Sequence, residues 1–376
     1  MPGGRAPRAG DRLANPALAA SFERLANQGP RDGFYEGETA ARICQALGDL
    51  GSPLRPDDFA AFRSDWVDPI SVDYRGYTAY EFPPNTQGFA ALQILNLMEG
   101  FDLRGFGDAS ADYLHHLAEA VKLAFADRNA WLTDPRFLDI PLDRLLDKGY
   151  AEQRRRLIDP ERAMVMEEVA PGIAPDEASA GSGGDGGDTC YFCATDSDGL
   201  AVSVIQSIYH DFGSVEIAGD TGIIMQNRGS FFALDPAHPN SLEPGKRTFH
   251  TLIPAMLHRR ARPYLVYGSM GGEGQPQTHA AMVSRIVDFG YDVQQAIEAP
   301  RWLMGRTWGT KVQDLALEGR ISDLVVNELK RRGQPVKPVE DWNDNMGHAQ
   351  AIRIDPETGL LEGGADPRGD GAAIGY

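Results

Sequence analysis

Residues 181–188 read Gly-Ser-Gly-Gly-Asp-Gly-Gly-Asp, eight positions without one apolar side chain. Such a run cannot contribute to a packed core and is predicted to be mobile. It closes a stretch from about Glu168 that is rich in Pro, Glu, Asp, Ala and Gly, and it divides the 376 residues into equal segments, 1–188 and 189–376. The second segment does not start as an ordinary domain does. Thr189 opens Thr-Cys-Tyr-Phe-Cys-Ala-Thr, an Asp-Ser-Asp-Gly turn occupies 196–199, and the apolar run Leu200–Ile208 comes next. Strand-forming residues on both sides of a turn predict a β-hairpin whose first residue is Thr189.

The first segment reads mainly as helix. Apolar residues recur at three- and four-residue spacing over Asn15–Asn27, Gly37–Leu47, Gln87–Met98 and Ser110–Leu132, with turns at Pro53–Pro69 and Pro83-Pro84. Ser110 is a cap for the last of these helices, and Leu114, Leu117, Val121 and Phe125 form its packing face. After the hairpin, strand-like runs at Gly222–Gln226, Leu252–Leu257 and Tyr264–Tyr267 precede helical patterns at Gln277–Phe289, Val293–Ala299 and Ile321–Arg332. Strands and helices without regular alternation predict a layered α+β architecture. No internal repeat of solenoid period is present.

Composition narrows the function. With 42% hydrophobic residues there is ample material for a core, and 36 Lys plus Arg against 54 Asp plus Glu give a net charge of −18. That sign argues against nucleic acid and against an anionic membrane surface as partners. The longest apolar stretch, Gly88–Met98, falls short of the ~20 residues that cross a bilayer, and Met1-Pro-Gly-Gly-Arg lacks the apolar core of a secretory signal, so the expected location is cytoplasmic. Cys44, Cys190 and Cys193 are too few for a disulfide scaffold. Cys190 and Cys193 spell C-x-x-C, but in a strand residues three apart point to opposite faces. No H-E-x-x-H occurs, and the adjacent His115 and His116 diverge on a helix, so neither a metal nor a cofactor is expected. Gly245-Lys246 continues into Arg247 and lacks the first glycine of a phosphate loop, and Ser269 has Tyr267 where a hydrolase elbow needs glycine.

Thr189 has a plain reading as a strand residue and a chemical one. In the chemical reading its hydroxyl attacks the carbonyl of Asp188, the chain shifts to an ester, and water releases a segment that begins at Thr189. The new α-amino group, with an ordinary pKa of about 8, then serves as base for the hydroxyl beside it. Such a nucleophile needs donors for a developing oxyanion. Tyr267-Gly-Ser-Met-Gly-Gly-Glu-Gly-Gln275 supplies a strand that breaks into glycines at Gly271, Gly272 and Gly274, whose N–H groups can approach a substrate closely.

These residues carry a resemblance. Gly187-Asp-Thr-Cys-Tyr-Phe-Cys-Ala-Thr195, Gln226-Asn-Arg-Gly229, Pro244-Gly-Lys-Arg247, His250-Thr-Leu-Ile-Pro254, Gly268-Ser-Met-Gly-Gly272, Ala299-Pro-Arg301 and Gly364-Ala-Asp-Pro-Arg368 resemble the γ-glutamyltransferase family. So do Phe34-Tyr-Glu-Gly37, Val72-Asp-Tyr-Arg-Gly-Tyr77, Pro83-Pro-Asn85 and Phe125-Ala-Asp-Arg128 in the first segment. The resemblance implies a self-cleaving N-terminal-nucleophile hydrolase with an αββα sandwich, incomplete here at the N-terminus because the first part of the family's large subunit has no counterpart. It also implies large and small subunits cut from one precursor, residues 1–188 and 189–376, and leaves a further homodimer open. Thr189 then matches the nucleophile, Asp188 the residue before the cut, Ser207 a hydroxyl that supports the new amino group, and Gly271 and Gly272 the oxyanion hole. His250 and Thr251 match a serine pair that holds the substrate carboxylate. The implied substrate is a small-molecule amide, glutathione-type γ-glutamyl amides by default, with water or an amine as acceptor.

Departures from the family pattern bear on the substrate. Ser230-Phe231 stands where γ-glutamyl-specific members carry an acidic residue for the substrate ammonium. Arg228 replaces a neutral or acidic side chain, and Tyr209 an asparagine. A guanidinium suits a second carboxylate. The segments Arg301–Gly309, Leu317–Arg320 and Met346–Ala349 look closest to a sub-branch with oxamate amidohydrolase, which makes small dicarboxylic monoamides the alternative substrate class. An uncut binding or assembly subunit and a redox protein built on Cys190 and Cys193 are the rival readings.

Overall fold

The computed structural model describes residues 6–175, 188–305 and 312–376. The expected mobility of 181–188 falls, but for Asp188, outside them. The elements in chain order are α1 (Pro16–Pro30), α2 (Glu38–Asp49), α3 (Pro56–Ala61), β1 (Ile70–Tyr74), β2 (Tyr77–Glu81), α4 (Gly88–Met98), α5 (Leu103–Phe106), α6 (Ala111–Trp131), α7 (Leu142–Leu145), α8 (Lys148–Arg155), β3 (Asp188–Thr195) and β4 (Ala201–Tyr209). Then come β5 (Ala255–Arg259), β6 (Arg262–Ser269), α9 (Gln275–Val287), α10 (Val293–Glu298), β7 (Trp302–Met304), β8 (Leu315–Glu318), α11 (Asp323–Arg331), β9 (Val336–Val339), β10 (Ala349–Ile354) and β11 (Leu361–Ala365).

The chain forms two compact units, Met1–Trp66 with Phe212–Asn227, and Val67–Asp211 with Arg228–Tyr376. A boundary at 188/189 therefore divides the chain as a covalent string and does not follow its packing. In the smaller unit α1 starts with the Asn15 side chain accepting from Leu18 N (3.0 Å) and Pro16 in the first turn. Ile43, Leu47 and Ala218 form its core, with Phe34, Phe59, Ile223 and Met225 against them. The strand expected at Gly222–Gln226 does not form as a regular strand: the segment makes the isolated antiparallel bridge Ile217–Ile224, flanked by backbone bonds from Ser214 N to Met225 O, Met225 N to Glu216 O and Ala218 N to Ile223 O. Gly219 and Gly222 both take left-handed φ (58° and 70°), turning the backbone so that Ile223 and Met225 pack inward.

In the larger unit a six-stranded antiparallel sheet runs β1-β2-β5-β6-β10-β11. The β1–β2 hairpin, absent from the sequence reading, turns on Arg75 and Gly76, both at positive φ (52° and 83°). One face carries α4, α9 and α10. The other carries the two-stranded β3–β4 sheet, packed on β6 and β10. Successive residues of β6 show the alternation: the Tyr267 ring meets His279 of α9 (5.1 Å between centroids), whereas Gly268 faces Tyr191 of β3. The layers seen are thus helix, sheet, sheet. A separate sheet pairs β7 antiparallel to β8 and β8 parallel to β9, with α11 as the crossover.

Ser110 caps α6 as expected, accepting from Tyr113 N (3.0 Å). The helix is buried all round, however, and not on the Leu114–Phe125 face alone. Its polar residues are satisfied internally: Lys122 Nζ donates to Glu119 (2.6 Å), to the Met164 carbonyl (2.8 Å) and to Gln334 (3.0 Å). Among the described residues no helix is long and apolar enough to cross a membrane.

Candidate active site

The site begins where β3 begins. Thr189 lies opposite Ser207 in the β3–β4 ladder, and its Oγ1 donates to Ser207 Oγ at 2.9 Å. Between Asp188 and Thr189 the register shifts, so a bulge falls on the bond whose cleavage the sequence suggests. Ser207 Oγ also accepts from Tyr209 N (2.8 Å), and Tyr209 itself is held at φ 78°, a conformation rare for a side chain of that bulk.

Tyr209 leads to a buried cation. The Arg228 guanidinium lies 4.6 Å from the Tyr209 ring centroid and 5.5 Å from that of Phe231, and its Nη1 donates to Thr251 Oγ1 at 2.8 Å. Phe231 packs against Tyr209 (4.4 Å) and Phe249 (4.2 Å), both rings tilted by 43° to its own. Arg228 therefore sits against an aromatic wall. Burial lowers Arg228 to about 10, which leaves it a cation at neutral pH. Burial, then the charge of Arg228, pushes His250 down to about 3, so its imidazole is neutral; Nδ1 accepts from Leu252 N (3.3 Å). The backbone of 248–250 is laced to the turn before α4: His250 N donates to Asn85 O (2.6 Å), Gln87 N to His250 O (3.1 Å), and Asn85 Nδ2 to Thr248 O (2.7 Å).

Gly271 and Gly272 leave β6 with φ of 149° and 53°, both in the range that favours glycine. Met270, the residue before them, exchanges two backbone hydrogen bonds with His348 (3.0 and 3.2 Å). The 346–348 turn is anchored from beneath by Arg301, whose Nη1 donates to the Met346 and Gly347 carbonyls (3.1 and 2.6 Å) and whose Nη2 pairs with Asp366. A cleft of about 610 Å³ is lined by Thr189, Tyr191, Cys193, Met270, His348 and Gln350 among others. Thr189 and Met270, the residue before the glycine pair, thus border one concavity, while Gly271 and Gly272 are not among its lining residues.

Cys190 is exposed and Cys193 half-buried, on alternate faces of β3, and burial raises the Cys193 thiol to about 11. Neither is disposed as a reactive pair. Among the described residues no group of three or more His, Cys, Asp or Glu side chains is placed to hold a metal.

Of the residues singled out in the sequence, Thr189, Ser207, Tyr209, Arg228 and Thr251 form one chain of contacts, with His250 beside it. Phe249, Gln87, His348 and Arg301 join the site from the structure and not from the sequence reading. Arg301 is visible in the sequence only as a motif letter, and nothing in local pattern places Gln87 near residue 250.

A helix–sheet–sheet layering with a threonine at the head of a strand in the second sheet defines an N-terminal-nucleophile hydrolase. A solved cephalosporin acylase from Bacillus halodurans superposes with a TM-score of 0.87 at 38% identity, over 100% of this chain and 66% of that one. The model of the gamma-glutamyltranspeptidase family matches residues 1–376, and the chain belongs to that family. It is 50% identical over 372 residues to the glutathione hydrolase-like YwrD proenzyme of Bacillus subtilis (99% of this chain, 68% of the relative). It is 43% identical over 374 residues to the oxamate amidohydrolase proenzyme of Klebsiella pneumoniae (99% and 67%). The chain spans about two thirds of the length of these relatives. It is an enzyme of the amide-cleaving hydrolase and acyltransferase type.

Proposed function

We propose that the chain cuts itself between Asp188 and Thr189 and then cleaves amides of small carboxylate-bearing acyl groups, γ-glutamyl amides of the glutathione type first among them. The observation that carries this reading is the 2.9 Å hydrogen bond from Thr189 Oγ1 to Ser207 Oγ at a bulged strand start. In the first reaction Thr189 Oγ1 adds to the Asp188 carbonyl, the C–N bond breaks, and the nitrogen takes the hydroxyl proton. Water hydrolyses the ester and leaves a segment headed by Thr189. In the second, the same hydroxyl, its proton drawn to the new amine, adds to the substrate amide. The Gly271 and Gly272 N–H groups receive the oxyanion, an amine departs with the proton, and water or an acceptor amine resolves the acyl ester.

A second substrate reading has its own support. Arg228, stacked on two aromatic rings and bonded to Thr251, offers a cation where an ammonium-binding carboxylate is replaced by Phe231. That favours small dicarboxylic monoamides such as oxamate. The similarity to an oxamate amidohydrolase supports the same class.

The test is N-terminal analysis of the purified protein. Two chains are expected, one beginning Thr189-Cys-Tyr, with Thr189→Ala remaining a single chain. A single uncut chain in the native protein would instead support an assembly subunit. Turnover of γ-glutamyl p-nitroanilide against ammonia release from oxamate separates the two substrate classes. The cytoplasmic location belongs to the same proposal, and fractionation of producing cells checks it.

A further inference from the structure

The contacts that run from Thr189 through Ser207, Tyr209 and Arg228 to Thr251 stop one step short of the glycine pair. Gln87 supplies that step. It is fully buried at the turn into α4, and its Nε2 has two hydrogens, one donated to the Thr251 carbonyl (3.0 Å) and the other to the Gly272 carbonyl (2.9 Å). Its Oε1 accepts from Arg128 Nη1 (3.0 Å). The amide has one workable orientation: reversed, it would aim its oxygen at two carbonyls and its NH₂ at a guanidinium. Arg128, buried on α6 with its guanidinium 3.8 Å from the centre of the Phe125 ring, reaches Glu273 with Nη2 (3.2 Å). Glu273 follows Gly272, so Arg128, Gln87, Gly272 and Glu273 close a ring of contacts.

Glycines at φ 149° and 53° have no side chains to define where their peptide planes point. The loop is fixed from outside, at Met270 by the exchange with His348 and at Gly272 by Gln87. The planes that carry the Gly271 and Gly272 N–H groups hold the Met270 and Gly271 carbonyls, which accept from His348 N (3.2 Å) and Gly274 N (2.9 Å), while the Gly272 carbonyl, shared by Gln87 Nε2 and Gln275 N, fixes the far side of the pair. The same NH₂ group sets the carbonyl of Thr251, whose hydroxyl receives Arg228. We propose that Gln87, oriented by Arg128, is a positioning residue that ties the carboxylate-facing residue Thr251 to the Gly271–Gly272 pair, so that both are placed by one side chain. The inference rests on the assignment of these residues made under Proposed function.

The test uses the full chain with Gln87→Met, Arg128→Met, the double variant, and Arg128→Lys as a milder change that keeps the charge. Two quantities are read: kcat and KM for γ-glutamyl p-nitroanilide and oxamate, and amide hydrogen exchange of peptides covering 250–252 and 270–274. The expected result for Gln87→Met is a kcat lowered at least tenfold. A directly removed oxyanion donor costs roughly 10²–10³-fold, which bounds the effect. Exchange should rise at least fivefold in both peptides together, with an unchanged circular dichroism spectrum. The double variant should lose less than the product of the two single losses, because Arg128 acts partly through Gln87 and partly through its own ion pair with Glu273. Exchange within twofold of the parent in either peptide, or losses that multiply in the double variant, overturns the coupling. If Gln87→Met does not fold, Arg128→Lys carries the same exchange criterion. A parent protein that turns over neither substrate refutes the catalytic assignment instead, and the exchange measurements still decide whether Gln87 couples the two segments.

Discussion

Arg228 provides the sharpest test of how the site selects its acyl group. The guanidinium is buried, lies beside the paired Tyr209 and Phe231 rings at 4.6 and 5.5 Å, and is bonded to Thr251 at 2.8 Å, yet at about 10 its pKa leaves it charged at neutral pH. Arg228→Met keeps an apolar stem against the rings and removes the charge. The Thr251 hydroxyl then loses one donor, while a bound carboxylate loses a charge-assisted hydrogen bond worth about 1.5–3 kcal/mol. At 1.4 kcal/mol per factor of ten, kcat/KM for oxamate should fall roughly 10- to 150-fold. Most of the loss should lie in KM, because the interaction holds the substrate before and during reaction alike. The control is p-nitroacetanilide, whose acyl group has no carboxylate and whose slow hydrolysis should change less than threefold. N-terminal analysis confirms that the variant still begins a chain at Thr189. Equal losses for oxamate and the anilide would mean that Arg228 supports the fold of the site and reads no carboxylate.

Three further outcomes are expected. Ser207→Ala removes the acceptor of the Thr189 hydroxyl and an acceptor of Tyr209 N, so self-cleavage followed by gel electrophoresis should slow at least tenfold, and an unchanged rate would remove Ser207 from the reaction. A Cβ at Gly268 would lie 2.3 Å from the Tyr191 ring; Gly268→Ala should therefore cost about 1–3 kcal/mol in a denaturant titration through overpacking. His250, buried and beside Arg228, has a folded pKa of about 3, below the ordinary histidine value of about 6.5. The unfolded chain binds its proton first, so this residue's contribution to stability is intact above about pH 6.5 and falls by about 1.4 kcal/mol per pH unit as pH drops toward 3. His250→Asn should show a shallower acid slope between pH 6.5 and 4 than the parent, and identical slopes would contradict the burial argument.

The features legible in the sequence are those that lie close along the chain. The β3–β4 hairpin is legible because strand formers flank Asp-Ser-Asp-Gly, and the turn is built as that pattern requires: the Asp196 side chain accepts from Asp198 N and Leu200 N at 3.0 and 2.9 Å, with Gly199 at φ 85°. The β1–β2 hairpin escapes a sequence reading because Arg75-Gly76 is a weaker turn signal than Asn-Gly, although Val72, Tyr74, Tyr77 and Ala79 alternate around it. Gly222–Gln226 misleads because apolar residues beneath a helix and apolar residues in a strand look alike over five positions. Thr189, Arg228 and the glycine pair carry chemistry in their residue types. Gln87 and Arg301 do not, since their roles come from carbonyls that lie 164 to 185 positions away for one and 45 to 46 for the other.

The order of strands in the large sheet has a consequence for the severed molecule. β2, from before the cleavage point, pairs directly with β5, from after it, in the interior of the sheet. Breaking one peptide bond at 188/189 therefore frees two ends without freeing two proteins. Parting the products means stripping the β1–β2 hairpin from its end of the sheet and opening the core above it, which is the same event as denaturation. The nicked enzyme should accordingly run as two species only once its folded state has been destroyed, and its thermal transition should stay a single one.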